Sequence, residues 1–508
     1  MKKKIARVLV ANRGEIAVRV IRACREVGIE AVAVYSEADA AARHVLAADA
    51  ALPIGPAPAT ESYLVREKII AAARTAGADA IHPGFGFLSE NADFAEAVMA
   101  AGLIWIGPQP DVIRVMGSKT AARERMIAAN VPVVPGFQAT GDEPRELFAA
   151  EAEKLGYPVL VKASAGGGGK GMRAVERPEA LAEALEGARH EAQSAFGDPT
   201  VYLEKLLARP RHIEFQIFGD SYGNVVHLYE RECSIQRRHQ KIVEETPSVA
   251  VTDELRARMG AAAFQAAKAV DYQGAGTVEF MLDEEGSFYF LEMNTRIQVE
   301  HPITELTTGV DLVEWQMLVA GGEPLPLGQD EIPRHGHAIE CRIYAEDPAR
   351  DFMPATGRIV LAEEPGGPGV RVDSGVGSGD EISAYYDPMI AKLVVYGMDR
   401  DHAIRRMSRA LADYVLLGVT TNLAFLQDVL AHSAFHEGDT TTDFIDKHLS
   451  EWGTTKALVQ DSLDARLAIV AAALHHRGHS PAEKGTVAEA GRQVDLHSPW
   501  RSGDGWGR

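Results

Sequence analysis

Two glutamates and an asparagine in neighbouring runs of the chain form a candidate metal site. Glu279 lies in TVEF, and Glu292 and Asn294 lie in FLEMN. If the two runs pair as a hairpin, their carboxylate and amide oxygens come together, and such oxygens suit Mg²⁺ or Mn²⁺ ions that bridge phosphates. The alternative is an ordinary hairpin with both glutamates facing solvent. The apolar residues around them disfavour it, because a carboxylate among apolar side chains needs a partner.

A second set of reactive side chains follows directly in the sequence. Arg296, Gln298 and Glu300 stand at two-residue intervals in NTRIQVEHP. If this segment is extended, all three side chains project from one face. A cation, an amide and a carboxylate that converge there could hold a small anion and remove its proton.

A local basic run stands out in a chain whose formal net charge is −20. We expect it to form a charged loop after a strand. A solvated surface loop is the simpler interpretation of a charge run, but a basic cluster in so acidic a protein favours an anion site. The polar residues of this run are Gln236, Arg237, Arg238, His239 and Lys241.

The run KASAGGGGKGM, residues 162–172, suggests a loop that approaches phosphates. A P-loop is excluded because Ser164 stands at its first glycine and Gly171 where Ser or Thr binds Mg²⁺. A dinucleotide turn requires a helix next, but the β-prone MRAVE follows. A kinase has its phosphate-binding lysine after the glycines, whereas Lys162 precedes them. We interpret the run as the tip of a hairpin lid that opens and closes; a plain mobile hairpin is the alternative.

The apolar pattern predicts the elements that position these residues. Alternating apolar runs and amphipathic segments favour a doubly wound, Rossmann-like α/β domain over residues 1–117. Residues 118–333 predict an α+β domain that contains the hairpin, with its turn at Glu284–Gly286. A mixed α+β region covers 334–450 and includes a helix predicted from RDHAIRRMSRALADY, and in the first domain EAVAVYS predicts a strand. Residues 451–508 carry one helical stretch and a polar tail, which we interpret as a linker.

Composition limits the class of protein and its partners. The chain has 508 residues, 46% of them hydrophobic and 24% charged, which is typical of a globular protein. Its acidic balance argues against a nucleic-acid partner. The apolar run in MKKKIARVLVANRGE is too short for a signal segment or a membrane span. Three scattered cysteines without ligand spacing indicate reduced thiols, so we expect a cytoplasmic protein.

Six segments of the chain together closely resemble biotin carboxylase. This is the ATP-grasp component of acetyl-, propionyl- and methylcrotonyl-CoA carboxylases and of pyruvate carboxylase. The similarity runs in register from about residue 4 to residue 448 and implies an ATP-grasp central domain, with a mobile lid over about 133–207, and a biotin carboxylase C-terminal domain. The segments are ANRGEIAVRVIRA, HPGFGFLSENA, KASAGGGGKGM, ERECSIQRRHQKIVEETP, EMNTRIQVEHPITE and ECRIYAEDP.

The resemblance implies a ligase reaction in which ATP, bicarbonate and biotin give carboxybiotin, ADP and phosphate. Bicarbonate would attack the γ-phosphate to form carboxyphosphate, which breaks down to CO₂ and phosphate. The phosphate would take the ureido proton of biotin, and the biotin enolate would capture CO₂.

The resemblance also implies roles for individual residues. Glu300 would be the base that deprotonates bicarbonate, and Arg342, in ECRIYAED, would stabilise the biotin enolate. Bicarbonate would lie among Lys241, Arg296, Gln298 and the backbone of Val299, and two Mg²⁺ or Mn²⁺ ions on Glu279, Glu292 and Asn294. ATP would be bound by Lys119, Lys162, the lid glycines Gly166, Gly167, Gly168 and Gly169, the hinge residues Glu204, Lys205 and Leu207, and by His212, Gln236 and His239.

The sequence departs from the family pattern at two positions and in its C-terminal segment, and the C-terminal segment bears on the expected partners. Phe85 stands where many members have tyrosine, and Lys170 where some have arginine; both are mild. The residues past His448 are more similar to acyl-CoA carboxylase α chains, of which this chain would be an N-terminal portion. Those chains end in a biotinyl domain with the motif A/V-M-K-M, and no such tetrapeptide occurs here. We therefore expect biotin on a separate carrier domain, a carboxyltransferase subunit as partner, and a homodimer or larger assembly with NRGEIAVRVIRA near the interface.

Two rival functions remain open. Another ATP-grasp ligase, such as half of a carbamoyl-phosphate synthetase, would share the nucleotide and metal residues. A catalytically silent scaffold subunit of a carboxylase would have lost catalytic residues. Lys241, Arg296, Glu300 and Arg342 together favour biotin carboxylase over both.

Overall fold

The structure is a computed structural model that describes residues 4–138, 144–163 and 172–452, and every structural statement below concerns these residues. The lid glycines Gly166–Gly169, Lys170 and the helical stretch predicted after residue 452 lie outside them. No helix in the described ranges has the length and apolar character that a membrane crossing requires.

The N-terminal part of the chain forms a parallel sheet between helices. Its strands are ordered β3-β2-β1-β4-β5, which confirms the doubly wound prediction. Both faces are covered, since Val8 and Leu9 pack into different apolar clusters, and this is why the strands are almost wholly apolar. The elements are β1 (Arg7–Val10), α1 (Gly14–Glu26), β2 (Glu30–Ser36), α2 (Arg43–Ala47), β3 (Ala50–Gly55), α3 (Arg66–Thr75), β4 (Ala80–His82), α4 (Ala92–Ala100), β5 (Ile104–Trp105) and α5 (Pro110–Gly117).

A small antiparallel sheet follows, in the order β6-β9-β7-β8. Strands β7 and β8 pair antiparallel on either side of the glycine run, as the sequence predicted. Helices α7 and α8 cover the sheet and enclose an apolar cluster around Phe148, Val161 and Leu185. The elements are α6 (Lys119–Ala128), β6 (Gly136–Gln138), α7 (Arg145–Leu155), β7 (Val159–Ala163), β8 (Arg173–Val175), α8 (Leu181–Phe196) and β9 (Val201–Lys205).

An eight-stranded antiparallel sheet dominates the rest of the described chain. Its order is β14-β13-β10-β11-β12-β15-β22-β20, so it continues across the predicted boundary at 333/334, which stays a prediction. Helix α9 packs on β10 and β11, α12 packs on β15 and β22, and α13 packs on β15. The site-bearing elements are β10 (Arg211–Gly219), β11 (Val225–Arg237), β12 (Gln240–Thr246), α9 (Asp253–Lys268), β13 (Gly274–Leu282), β14 (Phe288–Asn294), α10 (His301–Thr308), α11 (Leu312–Ala320) and β15 (His337–Tyr344).

Short strands and helices complete the C-terminal part. Three two-stranded sheets, β16-β17, β18-β21 and β19-β23, lie outside the large sheet. Helix α12 confirms the helix predicted from RDHAIRRMSRALADY. The elements are β16 (Glu346–Asp347), β17 (Met353–Pro354), β18 (Gly357–Arg358), β19 (Leu361–Glu363), β20 (Val370–Ser374), β21 (Glu381–Ile382), β22 (Met389–Gly397), α12 (Arg400–Asp413), β23 (Val415–Leu417), α13 (Leu423–Ala431), α14 (Ser433–Glu437) and α15 (Phe444–His448).

The basic run is a hairpin, so the expectation of a charged loop was wrong. Strands β11 and β12 continue through it, and Arg237 is the register partner of Gln240. The two residues between them, Arg238 and His239, have φ of 49° and 68°. This conformation is that of a two-residue turn that matches the twist of its strands. Arginine and histidine are unusual in such a turn, and the sequence therefore gave no turn signal here.

Candidate active site

A cavity of about 800 Å³ lies between the small sheet and the eight-stranded sheet. Every predicted site residue within the described ranges lines it. They are Lys119, Lys162, Glu204, Lys205, Leu207, His212, Gln236, His239, Lys241, Glu279, Glu292, Asn294, Arg296, Gln298, Val299, Glu300 and Arg342.

Lys241 lies at the centre of a cluster of carboxylates. From β12, its Nζ donates hydrogen bonds to Glu214 at 2.5 Å, Glu279 at 2.9 Å and Glu300 at 2.7 Å. Burial disfavours the lysine charge, but the three carboxylates outweigh it and hold the pKa of Lys241 well above its ordinary value. The lysine is therefore charged, and it organises acidic groups from three different parts of the chain.

Glu300 is held between two cations. Its Oε1 accepts from Lys241, and its Oε2 accepts from Nη2 of Arg342 at 3.1 Å. The side chain is 2% exposed, yet these cations outweigh burial and hold its pKa well below the ordinary range. Glu300 is thus ionised at neutral pH, which is the form that accepts a proton.

The segment after β14 is irregular, so the condition of an extended chain, on which the one-face argument depends, is not met. Its side chains nevertheless converge on the cavity. Gln298 donates to Glu279 at 2.7 Å, and Arg296 donates to Asn294 at 2.8 Å. Two turns between β14 and α10, rather than strand alternation, bring Arg296, Gln298 and Glu300 together.

The backbone carbonyl of Val299 is fixed by a hydrogen bond from a buried lysine. It accepts this hydrogen bond from Nζ of Lys392 at 2.8 Å. Lys392 is fully buried on β22 and lies 3.2 Å from a carboxylate oxygen of Glu15, on α1. The far end of the large sheet and the N-terminal helix thereby fix the backbone beside Glu300.

The glutamate pair fits a divalent cation. Glu279 and Glu292 are register partners on β13 and β14. Glu292 is open to solvent in the cavity, but partial desolvation by the surrounding protein and the negative charge of Glu279 raise its pKa, and no side chain in the described ranges donates a hydrogen bond to it. Two close carboxylates, one of them unpaired, are what a cation site requires. Asn294 turns its amide nitrogen to Glu279 at 2.7 Å and its oxygen to Arg296, so its role as an oxygen ligand stays a prediction.

The opposite wall of the cavity carries the predicted nucleotide residues. Nζ of Lys162 donates to Glu204 at 2.5 Å, so these two are paired with each other. Burial and the nearby charge of Lys162 lower the pKa of Lys119. The hinge residue Leu207 donates no backbone hydrogen bond to any residue in the described ranges, which leaves its N–H for a ligand. The Lys205 side chain instead donates to the carbonyl of Gly156 at 2.7 Å.

His212 joins the nucleotide wall to the metal site. Its Nε2 lies 2.7 Å from Glu279, and its Nδ1 lies 3.2 Å from the amide nitrogen of Gln236. A neutral ring that donates from Nε2 and accepts at Nδ1 satisfies both partners. His239, at the β11–β12 turn, is exposed on the cavity rim.

Several residues missed in the sequence analysis do not line the cavity but form hydrogen bonds with the side chains that do. Arg231, fully buried on β11, donates to Glu214 at 2.6 Å and to Gln298 at 2.6 Å. Glu244 accepts from Nε of Arg342 at 2.6 Å, and Glu90 accepts from Nε of Arg296 at 2.8 Å. A signal existed for the first of them: polar residues alternate with apolar ones in β10 and β11, which is unusual for strands buried on both faces.

The arrangement combines a nucleotide-sized cavity, a cation site, an anion site and an ionised base. Lys241 and Arg296 supply positive charge near Glu300, and Glu279 and Glu292 line the same cavity as the predicted nucleotide residues. Such a set is suited to phosphoryl transfer from a nucleotide to a small anion whose proton is removed in the site.

Three family models match the described part of the chain. They are "Biotin carboxylase, N-terminal domain" over residues 4–113, "Carbamoyl-phosphate synthase L chain, ATP binding domain" over 118–327 and "Biotin carboxylase C-terminal domain" over 340–447. The model named for the rival ligase thus covers the middle segment, whereas both flanking segments match models named for biotin carboxylase.

The chain is also similar to characterised proteins over most of its length. It is 50% identical over 501 residues to a methylcrotonoyl-CoA carboxylase subunit alpha of Dictyostelium discoideum, covering 98% of this chain and 70% of that protein. It is 53% identical to a biotin carboxylase of Halalkalibacterium halodurans, covering 87% and 98%. The chain spans 61% to 70% of the methylcrotonoyl-CoA carboxylase subunits that it matches.

The chain is also similar to a solved structure with bound ligands. It is the biotin carboxylase domain dimer of Hydrogenobacter thermophilus 2-oxoglutarate carboxylase, in complex with MgADP, ADP and bicarbonate. The two share 48% sequence identity with a TM-score of 0.83, over 88% of this chain and 98% of that one.

Proposed function

The chain belongs to the biotin carboxylase family, and we propose that it catalyses the ATP- and bicarbonate-dependent carboxylation of biotin held on a carrier domain. One observation carries the proposal: Glu300 is ionised between Lys241 and Arg342, in the same cavity as the nucleotide wall. A base beside two cations fits a reaction that first deprotonates an anion and later stabilises an oxyanion.

In the first step, bicarbonate binds among Lys241, Arg296 and Gln298, and Glu300 takes its proton. The freed oxygen attacks the γ-phosphorus of ATP, the bond to the β-phosphate oxygen breaks, and ADP leaves. The product is carboxyphosphate. The positive charges of Lys241 and Arg296 hold the attacking anion against its repulsion by the phosphates.

In the second step, carboxyphosphate breaks its carbon–oxygen bond to give CO₂ and phosphate. Phosphate takes the ureido proton of biotin, and the resulting nitrogen nucleophile forms a bond to CO₂. Negative charge gathers on the ureido oxygen while this happens. Arg342 would stabilise that oxyanion from its position beside Glu300.

We propose that two Mg²⁺ or Mn²⁺ ions bind at Glu279 and Glu292, with Asn294 as a third ligand residue. When bound, a divalent cation neutralises charge on the transferring phosphoryl group. Lys119, Lys162, the lid glycines and the hinge at Glu204–Leu207 would bind ATP, and closure of the lid would keep water from carboxyphosphate. MgADP and bicarbonate in the similar Hydrogenobacter thermophilus structure support this assignment.

The proposed partners are a biotinylated carrier domain, a carboxyltransferase subunit and a second copy of this chain. Support comes from relatives that are named as subunits of methylcrotonoyl-CoA carboxylase and from the dimer in the similar structure. We also propose a cytoplasmic location, which the three buried free cysteines favour because thiols persist in reducing compartments.

The test is release of ADP by the purified protein with ATP, Mg²⁺, bicarbonate and free biotin. We expect ADP release to require both bicarbonate and biotin. The glutamine variant Glu300→Gln removes the base with little change of shape, so we expect kcat to fall by roughly 10²-fold or more. ATP binding, measured by calorimetry, should change little.

The control is Glu285→Gln, on the exposed turn of the β13–β14 hairpin, which should keep full activity. Near-normal turnover in Glu300→Gln would contradict the role of that residue. ADP release that depends on ammonia and not on biotin would favour a carbamoyl-phosphate synthetase-like ligase, which shares the ATP-binding family model.

A further inference from the structure

Glu340, on β15, is a buried carboxyl group to which no described residue donates a hydrogen bond. It is 0% exposed, and both of its oxygens are without a partner in the described part of the chain. A buried carboxylate in this state is costly, so the group carries a proton. Burial accordingly raises the pKa of Glu340 well above its ordinary value. A buried proton-bearing oxygen needs an acceptor.

Glu244 supplies a free acceptor on the neighbouring strand. It is the register partner of Glu340, which puts the two side chains on one face of the sheet with Cβ atoms about 4.5–5.5 Å apart. One oxygen of Glu244 accepts from Arg342, but Oε2 is buried and accepts from no described residue. The protonated carboxyl group of Glu340 thus lies opposite the carboxylate of Glu244, whose Oε2 has no donor among the described residues.

The other charged groups around Glu340 already have partners, apart from Nε2 of His301, which makes no hydrogen bond to a described residue. Glu300 is held by Lys241 and Arg342, and Lys392 donates to the carbonyl of Val299. On α10, Nδ1 of His301 lies 2.7 Å from the carbonyl of Gln298, and its Nε2 faces Glu305 at 3.9 Å. The titratable and charged groups that face Glu340 from these elements are Glu244, Glu300, His301, Arg342 and Lys392.

We propose that Glu340 donates a hydrogen bond to Oε2 of Glu244, so that the two carboxyl groups share one proton, and that this pair positions Arg342 for the biotin step. The inference rests on the proposed function, which takes Arg342 as the oxyanion partner of biotin. The pair carries one negative charge, matching the single positive charge of Arg342. Because this single negative charge neutralises the guanidinium without drawing it away, Nη2 of Arg342 stays directed to Glu300 and the cavity.

Both glutamates act through Arg342 and are positioning residues. A second full negative charge at Glu340 would draw the guanidinium back toward the sheet. Loss of the donor would leave a buried oxygen of Glu244 unsatisfied, which is costly and also tightens its hold on Arg342. Either change would affect the step that uses Arg342 more than the binding of ATP.

The kinetic test compares Glu340→Gln with Glu340→Leu, using free biotin as substrate. The glutamine amide still donates to Glu244, so we expect kcat/KM for biotin to stay within about threefold of wild type. Leucine cannot donate, and we expect kcat/KM for biotin to fall roughly 10-fold or more. In both variants KM for MgATP should change less than about threefold, because a positioning role leaves the nucleotide wall intact.

A second measurement observes the shared proton itself. Difference infrared spectra at pH 8 should show the carboxylic-acid carbonyl band of wild type, and the band should be lost in Glu340→Gln. Equal biotin kinetics in wild type and Glu340→Leu, or an unchanged band in Glu340→Gln, would overturn the proposal. If wild type itself shows no biotin-dependent ADP release, the proposed function fails, and the infrared result still decides whether the proton is shared.

Discussion

Glu300 divides its two oxygens between Lys241 and Arg342, and this division constrains its chemistry. A carboxylate with so depressed a pKa is a weak base for a free acid. Bicarbonate in this site would lie against Lys241 and Arg296, whose charges make its own proton easier to remove. The same cations thus lower the basicity of Glu300 and raise the acidity of the substrate, and the difference between the two decides whether proton transfer is favourable.

At Glu292 we expect stability and activity to change in opposite directions. Partial desolvation by the surrounding protein and the charge of Glu279 raise its pKa, so the carboxylate is disfavoured in the metal-free protein. The variant Glu292→Gln should therefore have an equal or higher free energy of unfolding without Mg²⁺, measured in urea. The Mg²⁺ concentration for half-maximal ADP release should rise roughly 10-fold or more. A less stable metal-free variant would show that Glu292 is held by an interaction other than the one described.

At the scale of elements, Glu245 ties β12 to β15 and α12. Its Oε2 lies 2.7 Å from Nε2 of His337 and accepts from Nε of Arg400 at 2.7 Å. Burial alone would raise the pKa of Glu245, but His337 and Arg400 hold it at about 2, below the ordinary 4.5. The stabilisation is therefore fully present above pH 4.5 and is lost as the pH falls toward 2.

The prediction is a flatter acid response in Glu245→Gln. As the pH is lowered from 6, wild type should lose more free energy of unfolding than the variant, because only wild type must protonate a paired carboxylate. Urea unfolding at a series of pH values measures this. Glu381→Gln, on an exposed position of β21, is the control and should follow wild type. Parallel curves for wild type and Glu245→Gln would contradict the assignment.

Strand β13 packs without a side chain at Gly276. A Cβ built there lies 2.3 Å from the ring of Tyr272, which is 1% exposed and cannot move aside. We expect Gly276→Ala to lower the free energy of unfolding by about 1–3 kcal/mol. Gly117→Ala is the matched control, because nothing lies within 4 Å of its Cβ position at the end of α5. A neutral Gly276→Ala variant would mean that the ring is free to shift.

The elements also show what could be predicted from the sequence. Apolar runs such as EAVAVYS predicted β2 with its observed bounds, because a strand buried on both faces leaves a local signal. The pairing between β12 and β15 left no local signal in the sequence, because partners such as Val243 and Cys341 lie far apart along the chain. The same holds for the site: its motif residues were predicted, whereas the contacts that Arg231 and Glu244 make with them become visible only when distant strands are placed side by side.

At the scale of the molecule, Arg19 joins the N-terminal region to the large sheet's helices. Its side chain is 1% exposed, and Nη2 donates to Glu305 at 2.8 Å and to Asp311 at 2.7 Å. We expect Arg19→Ala to cost about 3–5 kcal/mol of unfolding free energy, because it removes the cationic partner of a buried ion pair with Glu305, which then keeps Arg371 as its cationic partner. Arg25 lies on the same helix as Arg19 and forms an exposed ion pair with Asp49. Arg25→Ala should therefore cost less than about 1 kcal/mol of unfolding free energy. Equal costs for the two variants would refute the difference in burial as the cause.

The continuity of the eight-stranded sheet bears on how such enzymes can be recombined. An exchange of modules cut at 333/334 would part β12 from β15, and with them Lys241 from Arg342. A chimaera that takes its nucleotide half from one ligase and its C-terminal half from another must therefore inherit β15 and β22 together with β12. The part that must be exchanged as a whole is the sheet, and a single cut in the chain at 333/334 would divide it.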